Sequence, residues 1–350
     1  MHYSTLGHSG LKVSRVCLGS MTWGLQNNQQ DANQQIDYAL ERGVNFIDTA
    51  EMYAIPPSAD TYGTTETIIG NWLADHPGKR ESLVLATKIA GEGLPWVRDG
   101  GPITGDAVVT AVDQSLARLQ TDYIDVYQLH WPNHAFAHFG RHWPNDVCFS
   151  KTDAGQAVDG MHDILKGLAR CVDAGKIRFC GLSDDSPWGI HKYLELARAH
   201  DLPRITSIQN EFNLLHHIDY PHTLETCAME QVAYLPWSPI GGGVLSGKYL
   251  DGQRPKGSRW TISQRMGLIR EGEQVDVAVA AYQAVAEQHG ISVAQLALKW
   301  CDQVDGVTST IIGATTLEQL RENLDAFEID YSEELADAVS KVLNRHALPF

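Results

Sequence analysis

Positive charge is scarce in this 350-residue chain, where 27 Lys and Arg face 43 Asp and Glu for a formal net charge of −16. Such a balance argues against a nucleic-acid or anionic-membrane partner, while leaving room for one local basic pocket. Long apolar runs are also missing, and none approaches the length of a bilayer span. The start, Met1-His2-Tyr3-Ser4-Thr5-Leu6-Gly7, has no basic stretch leading into an apolar core, so no secretory signal is expected. Cysteines are few and scattered (Cys17, Cys148, Cys171, Cys180, Cys227 and Cys301), with no C-x-x-C pair. Cys17 and Cys180 fall in apolar, strand-like runs, which points to buried reduced thiols and a cytoplasmic setting. No G-x-G-x-x-G follows a first strand, which disfavours a doubly wound dinucleotide fold. Gly242-Gly243-Val244-Leu245-Ser246-Gly247-Lys248-Tyr249 nearly spells a phosphate-binding loop. Its last residue is Tyr, where Ser or Thr must hold magnesium, so a triphosphatase is disfavoured. No linker or compositional break divides the chain, so one domain over residues 1–350 is expected.

What the chain does have is alternation. A possible hairpin, Tyr3–Leu6 and Leu11–Ser14, turns at Gly7-His8-Ser9-Gly10. Short apolar runs follow at Val16–Ser20, Asn45–Thr49, Leu83–Lys88, Ile124–Leu129, Arg178–Leu182, Ser207–Gln209, Ala233–Trp237 and Thr308–Ile312. Segments of helical period lie between and after them: 31–42, 64–75, 104–119, 159–174, 187–200, 221–230, 273–289 with 292–304, 316–327 and 332–345. Strict strand–helix alternation implies a parallel sheet with right-handed crossovers. Eight such units fit an α/β fold of the closed (β/α)8, or TIM, barrel type, with the hairpin at its amino-terminal end. Two long excursions, 131–158 and 238–272, would lie on the face that carries the chemistry.

Single polar residues punctuate the strand ends. Phe46-Ile47 delivers Asp48, with Tyr53 five residues on; Leu83 to Thr87 delivers Lys88; Tyr123 to Leu129 delivers His130. A tyrosine hydroxyl titrates near ~10 and is a sluggish acid by itself. A nearby ammonium lowers that value, and a carboxylate holds the ammonium charged and oriented. A histidine can orient a carbonyl oxygen. Together these groups suit a carbonyl becoming an alcohol, a reaction that also needs a hydride from a cofactor.

With those residues in place, the chain resembles the aldo-keto reductases nearly end to end, most of all the bacterial Tas-type branch beside the potassium-channel β-subunits. The matching motifs are Gly19-Ser20-Met21-Thr22-Trp23-Gly24, Asp48-Thr49-Ala50-Glu51-Met52-Tyr53, Ala86-Thr87-Lys88 and Gln128-Leu129-His130-Trp131. They continue through Gly175-Lys176-Ile177-Arg178, Gly181-Leu182-Ser183, Gln209-Asn210, Ser238-Pro239, Gly247-Lys248-Tyr249 and Gly313-Ala314-Thr315. The resemblance implies that Tyr53 is the general acid, tuned by Lys88, with Asp48 supporting Lys88 and His130 orienting the substrate. It implies that Ser183 and Gln209 hold a nicotinamide carboxamide and that Trp237 stacks on the ring. Ser238, Pro239, Ile240, Gly241 and Gly243 would wrap the pyrophosphate. Lys248 and Arg259 would meet phosphates, favouring NADPH/NADP⁺ over the unphosphorylated cofactor. Gly313, Thr315, Gln319, Glu322 and Asn323 fall at the adenosine end, and Thr22 and Trp23 at the nicotinamide end. The implied substrate is a small-molecule carbonyl or alcohol.

Some positions carry two readings. Asp184 stands where the family commonly has Asn. Its charge is expected to favour the cationic oxidised nicotinamide, or else it turns to solvent or pairs with a backbone amide. Trp23, Trp96 and Trp131 line a substrate pocket with Tyr53 and His130, or simply pack the loops. His134, His138 and His142 recur every fourth residue, as on a zinc-binding helix face. The nearby prolines and glycines argue instead for loop surface or pocket wall, and no metal is expected. A competing reading for the whole chain is an NADP(H)-binding regulatory subunit, as in the channel β-subunits. Those lack the histidine, so His130 favours catalysis.

Overall fold

The computed structural model describes residues 1–262 and 270–349. Strands β1 (Tyr3–Thr5) and β2 (Lys12–Ser14) pair antiparallel as a hairpin through a short 3₁₀ turn, Gly7–Ser9. Eight parallel strands follow: β3 (Val16–Gly19), β4 (Phe46–Asp48), β5 (Val84–Ile89), β6 (Ile124–Leu129), β7 (Ile177–Ser183), β8 (Ile205–Glu211), β9 (Ala233–Trp237) and β10 (Thr310–Ile312). They pair in the order β10-β3-β4-β5-β6-β7-β8-β9. The ring is drawn together by a parallel bridge from Tyr234 to Val307 and by the Thr308 amide donating to the Tyr234 carbonyl. The expected (β/α)8 barrel with an amino-terminal hairpin is therefore present.

Helix boundaries follow local chemistry. Asn28 and Ser292 each complete a capping box, for Gln29–Glu41 and Val293–Gln303. Ser186 caps Pro187–His200, whose first residue is proline, where a missing N–H costs nothing. The helix expected over 159–174 is longer at its start. It runs Ala154–Asp173 because the Asp153 side chain accepts from the Gln156 amide and supplies a cap one turn earlier. The excursion after β6 is shortened accordingly. Of the excursion at 238–272, residues 263–269 lie outside the described residues.

Two apolar layers form. The outer one fills the space between barrel and helices. The inner one gathers Cys17, Phe46, Val84, Ala86, Val126, Ala233, Leu235 and Ile311, with Leu6 and Val13 of the hairpin packed among them. The hairpin thus plugs the amino-terminal end of the barrel. Gly7 makes this close approach possible: a Cβ there would lie 2.4 Å from the Thr206 carbonyl oxygen, and its φ is +51°. Cys17 and Cys180 are buried free thiols, as are Cys171, Cys227 and Cys301, while Cys148 is exposed. No helix among the described residues is long and apolar enough to cross a membrane.

Candidate active site

Side chains alternate along a strand with period two, so the inward-facing set continues upward from the apolar layer. Phe46 is followed by Asp48, Ala86 by Lys88, Val126 by Gln128 and then His130, and Leu235 by Trp237. The core pattern itself therefore delivers polar groups to the carboxyl-terminal mouth. Register aligns them, with Lys88 opposite Gln128 and Ser183 opposite Gln209.

Lys88 is the hub. Its Nζ donates to Asp48 Oδ2 at 2.5 Å and to the Thr49 carbonyl at 2.8 Å, with Lys88 fully buried. Asp48 Oδ1 accepts from Gln128 Nε2 at 3.0 Å and from Gln209 Nε2 at 2.9 Å. Lys88 Nζ stands 5.0 Å from the centroid of the Tyr53 ring. Tyr53 meets the His130 ring edge to face at 5.6 Å. Burial pushes the Lys88 ammonium toward neutrality, but the Asp48 carboxylate, with Tyr53 adding to it, leaves the pKa above the usual lysine value. His130 is driven well below the usual imidazole range by burial and by Lys88, so it is neutral.

Tyr53 departs from the sequence expectation. Burial raises its pKa; Lys88 pulls the other way, yet the net shift is upward, with Asp48 adding to the rise. Counting the ammonium alone had implied a lowered value. The phenol therefore keeps its proton at neutral pH.

Beside this group lies an aromatic shelf. Trp237 is half-buried, and its indole Nε1 donates to Asp184 Oδ1 at 3.1 Å. Asp184 is buried, takes a left-handed φ of 53°, and also lies 3.4 Å from Ser183 Oγ and 3.5 Å from His138 Nδ1. Asn and Asp are the non-glycine residues that tolerate that backbone region best. Solvent is shut out from its carboxyl, and among the described residues its hydrogen-bond partners are the Ser183 hydroxyl and the Trp237 indole. Burial holds its pKa well above the carboxylate range, and Asp219 adds to the rise. Phe139, from the loop after β6, packs 6.2 Å from Trp237 and 6.4 Å from Trp131. Trp131 in turn lies 5.1 Å from His130. Trp96 is exposed on the loop after β5. Trp23 is not part of this wall. It is fully buried between barrel and helices with its indole donating to Gln35, because its short loop turns back beneath the helix Gln29–Glu41.

The three loop histidines do not form a ligand set. His134 Nε2 lies 3.1 Å from Asp185 Oδ1, His138 faces Asp184, and the His142 ring packs 5.6 Å from His216. No metal-holding cluster of His, Cys, Asp or Glu is present among the described residues.

Around the rim from Trp237 lies a cradle suited to an extended anionic cofactor. The Ser238 hydroxyl accepts from the Gly242 amide at 2.9 Å, curling the segment that includes Pro239, Ile240 and Gly241. Gly243 takes a φ of +98°, a region that disfavours side chains, and a Cβ there would crowd the Lys248 ammonium at 3.0 Å. Lys248 lies over the Tyr249 ring at 5.3 Å. Arg259 Nη2 rests 3.7 Å from Met21 Sδ, and burial lowers its pKa. Neither cation has a carboxylate partner among the described residues. The Ser258 and Tyr249 hydroxyls are buried without a hydrogen-bond partner among the described residues. Buried polar groups are normally satisfied, so such a set fits a phosphate. Further round, Gln319 Oε1 accepts from the Thr315 amide and hydroxyl, and Asn323 donates to the Gly313 carbonyl. Thr22 donates to the Ala314 carbonyl at 3.3 Å, while Glu322 accepts from Ser292.

Gln128 belongs to the site although its sequence context alone did not single it out. Its signal was parity, two residues before His130 on one strand face. Glu51 and Arg98, which brace the mouth, gave no comparable signal.

This geometry accords with what the chain is similar to. The model of the Aldo/keto reductase family matches residues 15–344. Protein tas of Escherichia coli K12 is 41% identical over 100% of this chain and 99% of its own length. An oxidoreductase of Bacillus subtilis, YrpG, is 31% identical over 96% of this chain and 94% of its own. A probable voltage-gated potassium channel β-subunit of Arabidopsis thaliana is 30% identical over 94% and 92%. Barrel, mouth and full-length similarity together establish that the chain belongs to the aldo/keto reductase family of oxidoreductases.

Proposed function

We propose that the protein is a cytoplasmic, NADPH-dependent reductase of small-molecule aldehydes or ketones, and that it also runs the reverse oxidation of alcohols. The carrying observation is the buried Lys88–Asp48 pair set beneath Tyr53 and beside a neutral His130. When bound, the nicotinamide supplies the hydride that no side chain provides. Tyr53 gives its phenolic proton to the carbonyl oxygen as the oxygen gains charge. The neutral His130 donates a hydrogen bond that orients that oxygen. Lys88 stabilises the phenolate left behind, and Asp48, braced by Gln128 and Gln209, keeps Lys88 in place. The decisive assay is NADPH oxidation across aldehydes, ketones, quinones and keto-sugars, beside NADP⁺ reduction with alcohols. Tight NADPH binding with no turnover on any of them would favour a regulatory subunit instead.

Preference for the phosphorylated cofactor rests on Arg259, a partly buried guanidinium with no carboxylate partner among the described residues. A hydrogen bond to a charged group contributes about 1.5–3 kcal/mol. Arg259→Ala is thus expected to weaken NADPH binding by about 10- to 100-fold and NADH binding by less than about twofold. Fluorescence titration with both cofactors measures this. An equal loss for the two would assign Arg259 to the shared pyrophosphate.

Asp184 adds a pH dependence. While protonated, its carboxyl both accepts and donates, as an amide does. Its pKa is raised, so its charge develops only as pH rises above the ordinary carboxylate range. Affinity for cationic NADP⁺ relative to NADPH is expected to climb with pH in the wild type, by about tenfold or more, and to stay flat in Asp184→Asn. A flat ratio in the wild type would show that the carboxyl does not sense the ring charge.

A further inference from the structure

Glu51 lies two residues before Tyr53, and its carboxylate is fully buried. Both of its oxygens are taken. Oε1 accepts from the Ala90 amide at 2.7 Å and from Arg98 Nη1 at 2.8 Å, and Oε2 accepts from the Tyr62 hydroxyl at 2.8 Å. Its backbone is tied as well: the Glu51 amide donates to the Lys88 carbonyl at 3.1 Å, and the Gly63 amide donates to the Glu51 carbonyl at 2.8 Å. Arg98 closes the junction by donating from Nη2 to the Ala90 carbonyl at 2.6 Å. One side chain therefore joins the loop that carries Tyr53, the end of the strand that carries Lys88, and the 90–101 loop that carries Leu94, Trp96 and Val97. Met52 and Val97 form an apolar cluster with Ala50 and Ala90, against which Tyr53, Tyr62, Leu94 and Trp131 pack.

We propose that Glu51, clamped by Arg98 and Tyr62, is a positioning residue that sets the height of Tyr53 over Lys88 and couples it to the apolar substrate wall. The inference rests on the reductase reading, in which Tyr53 is the proton donor. Glu51 touches no reacting atom, and the Tyr53–Lys88 separation of 5.0 Å from Nζ to ring centroid leaves little slack. Proton delivery falls steeply when donor and acceptor move apart by even ~1 Å.

The test compares Glu51→Gln, which keeps the shape and removes the charge, with Tyr62→Phe, which removes a single donor. Expected for Glu51→Gln is a fall in kcat of about tenfold or more. NADPH affinity by fluorescence should stay within about twofold, and the rising limb of the alcohol-oxidation pH profile, where Tyr53 must lose its proton to act as base, should move to higher pH as Tyr53 leaves Lys88. Tyr62→Phe should shift both readouts in the same direction by less, and it keeps the proposal testable if Glu51→Gln fails to fold. A kcat and pH profile like wild type in either folded variant would overturn it. Tyr53→Phe run alongside separates the two ideas: if that variant is dead while Glu51→Gln and Tyr62→Phe keep the wild-type kcat and pH profile, only the positioning role falls, whereas wild-type turnover in Tyr53→Phe would remove the reductase reading beneath it.

Discussion

Tyr53→Phe is expected to lower carbonyl-reducing turnover by about 10²- to 10⁴-fold, with NADPH affinity within about twofold of wild type. The loss corresponds to about 3–5 kcal/mol of barrier, the contribution of a positioned general acid. The ring packs against the cluster of Ala50, Met52, Ala90 and Val97, and phenylalanine keeps that packing, so stability should hardly change. The hydroxyl is the only group lost. Because the phenol's pKa is raised in the free protein, wild-type reduction should be flat through neutral pH and decline only in the alkaline range. Steady-state NADPH oxidation and fluorescence titration on one preparation measure both halves. Turnover equal to wild type would remove Tyr53 from the chemistry.

Lys88→Met should be the most damaging single change to the fold of the site. It leaves Asp48, only 2% exposed, without its cation; Gln128 and Gln209 remain as donors but carry no charge. Removing one partner of a buried ion pair costs about 3–5 kcal/mol. Urea unfolding should show that loss at neutral pH. The pH dependence follows from the direction of the Lys88 shift. The folded pKa is raised, so the pair's contribution is fully present below the ordinary lysine value near ~10.4 and is lost as pH rises through the higher folded value. Wild-type stability should therefore fall in strongly alkaline solution, and the methionine variant should lack that component. Any residual alcohol oxidation should require higher pH, because Lys88 is the group that pulls the Tyr53 pKa down. A methionine variant as stable as wild type would mean that Asp48 takes up a proton at little cost.

The two changes act at different levels. Tyr53 is held by apolar packing and acts through one proton, so its loss is kinetic. Lys88 is held by charge inside the barrel, so its loss is thermodynamic first and kinetic second.

The sequence by itself determined the barrel and the four groups at its heart. Strand–helix alternation is a local property, and so is the period-two parity that carries Phe46 to Asp48, Ala86 to Lys88 and Val126 to Gln128 and His130. Side chains on one strand face must all point into the barrel, so once the strands are known the mouth is known. Tertiary structure decided the rest, because it depends on which segments meet. Trp23 could be read as pocket wall or as packing, and it is core, since its loop folds back under a helix. Tyr53 looked acidified by Lys88, but burial outweighs a single ammonium. Asp184 carried two readings in the sequence, a charge beside the nicotinamide or a side chain turned away from it, and packing against Trp237 and His138 buries it and raises its pKa. Glu51 and Arg98, 47 residues apart, meet only because two loops close over one strand end. Desolvation and long-range ion pairing depend on the whole environment of a group, and no window of sequence contains that environment.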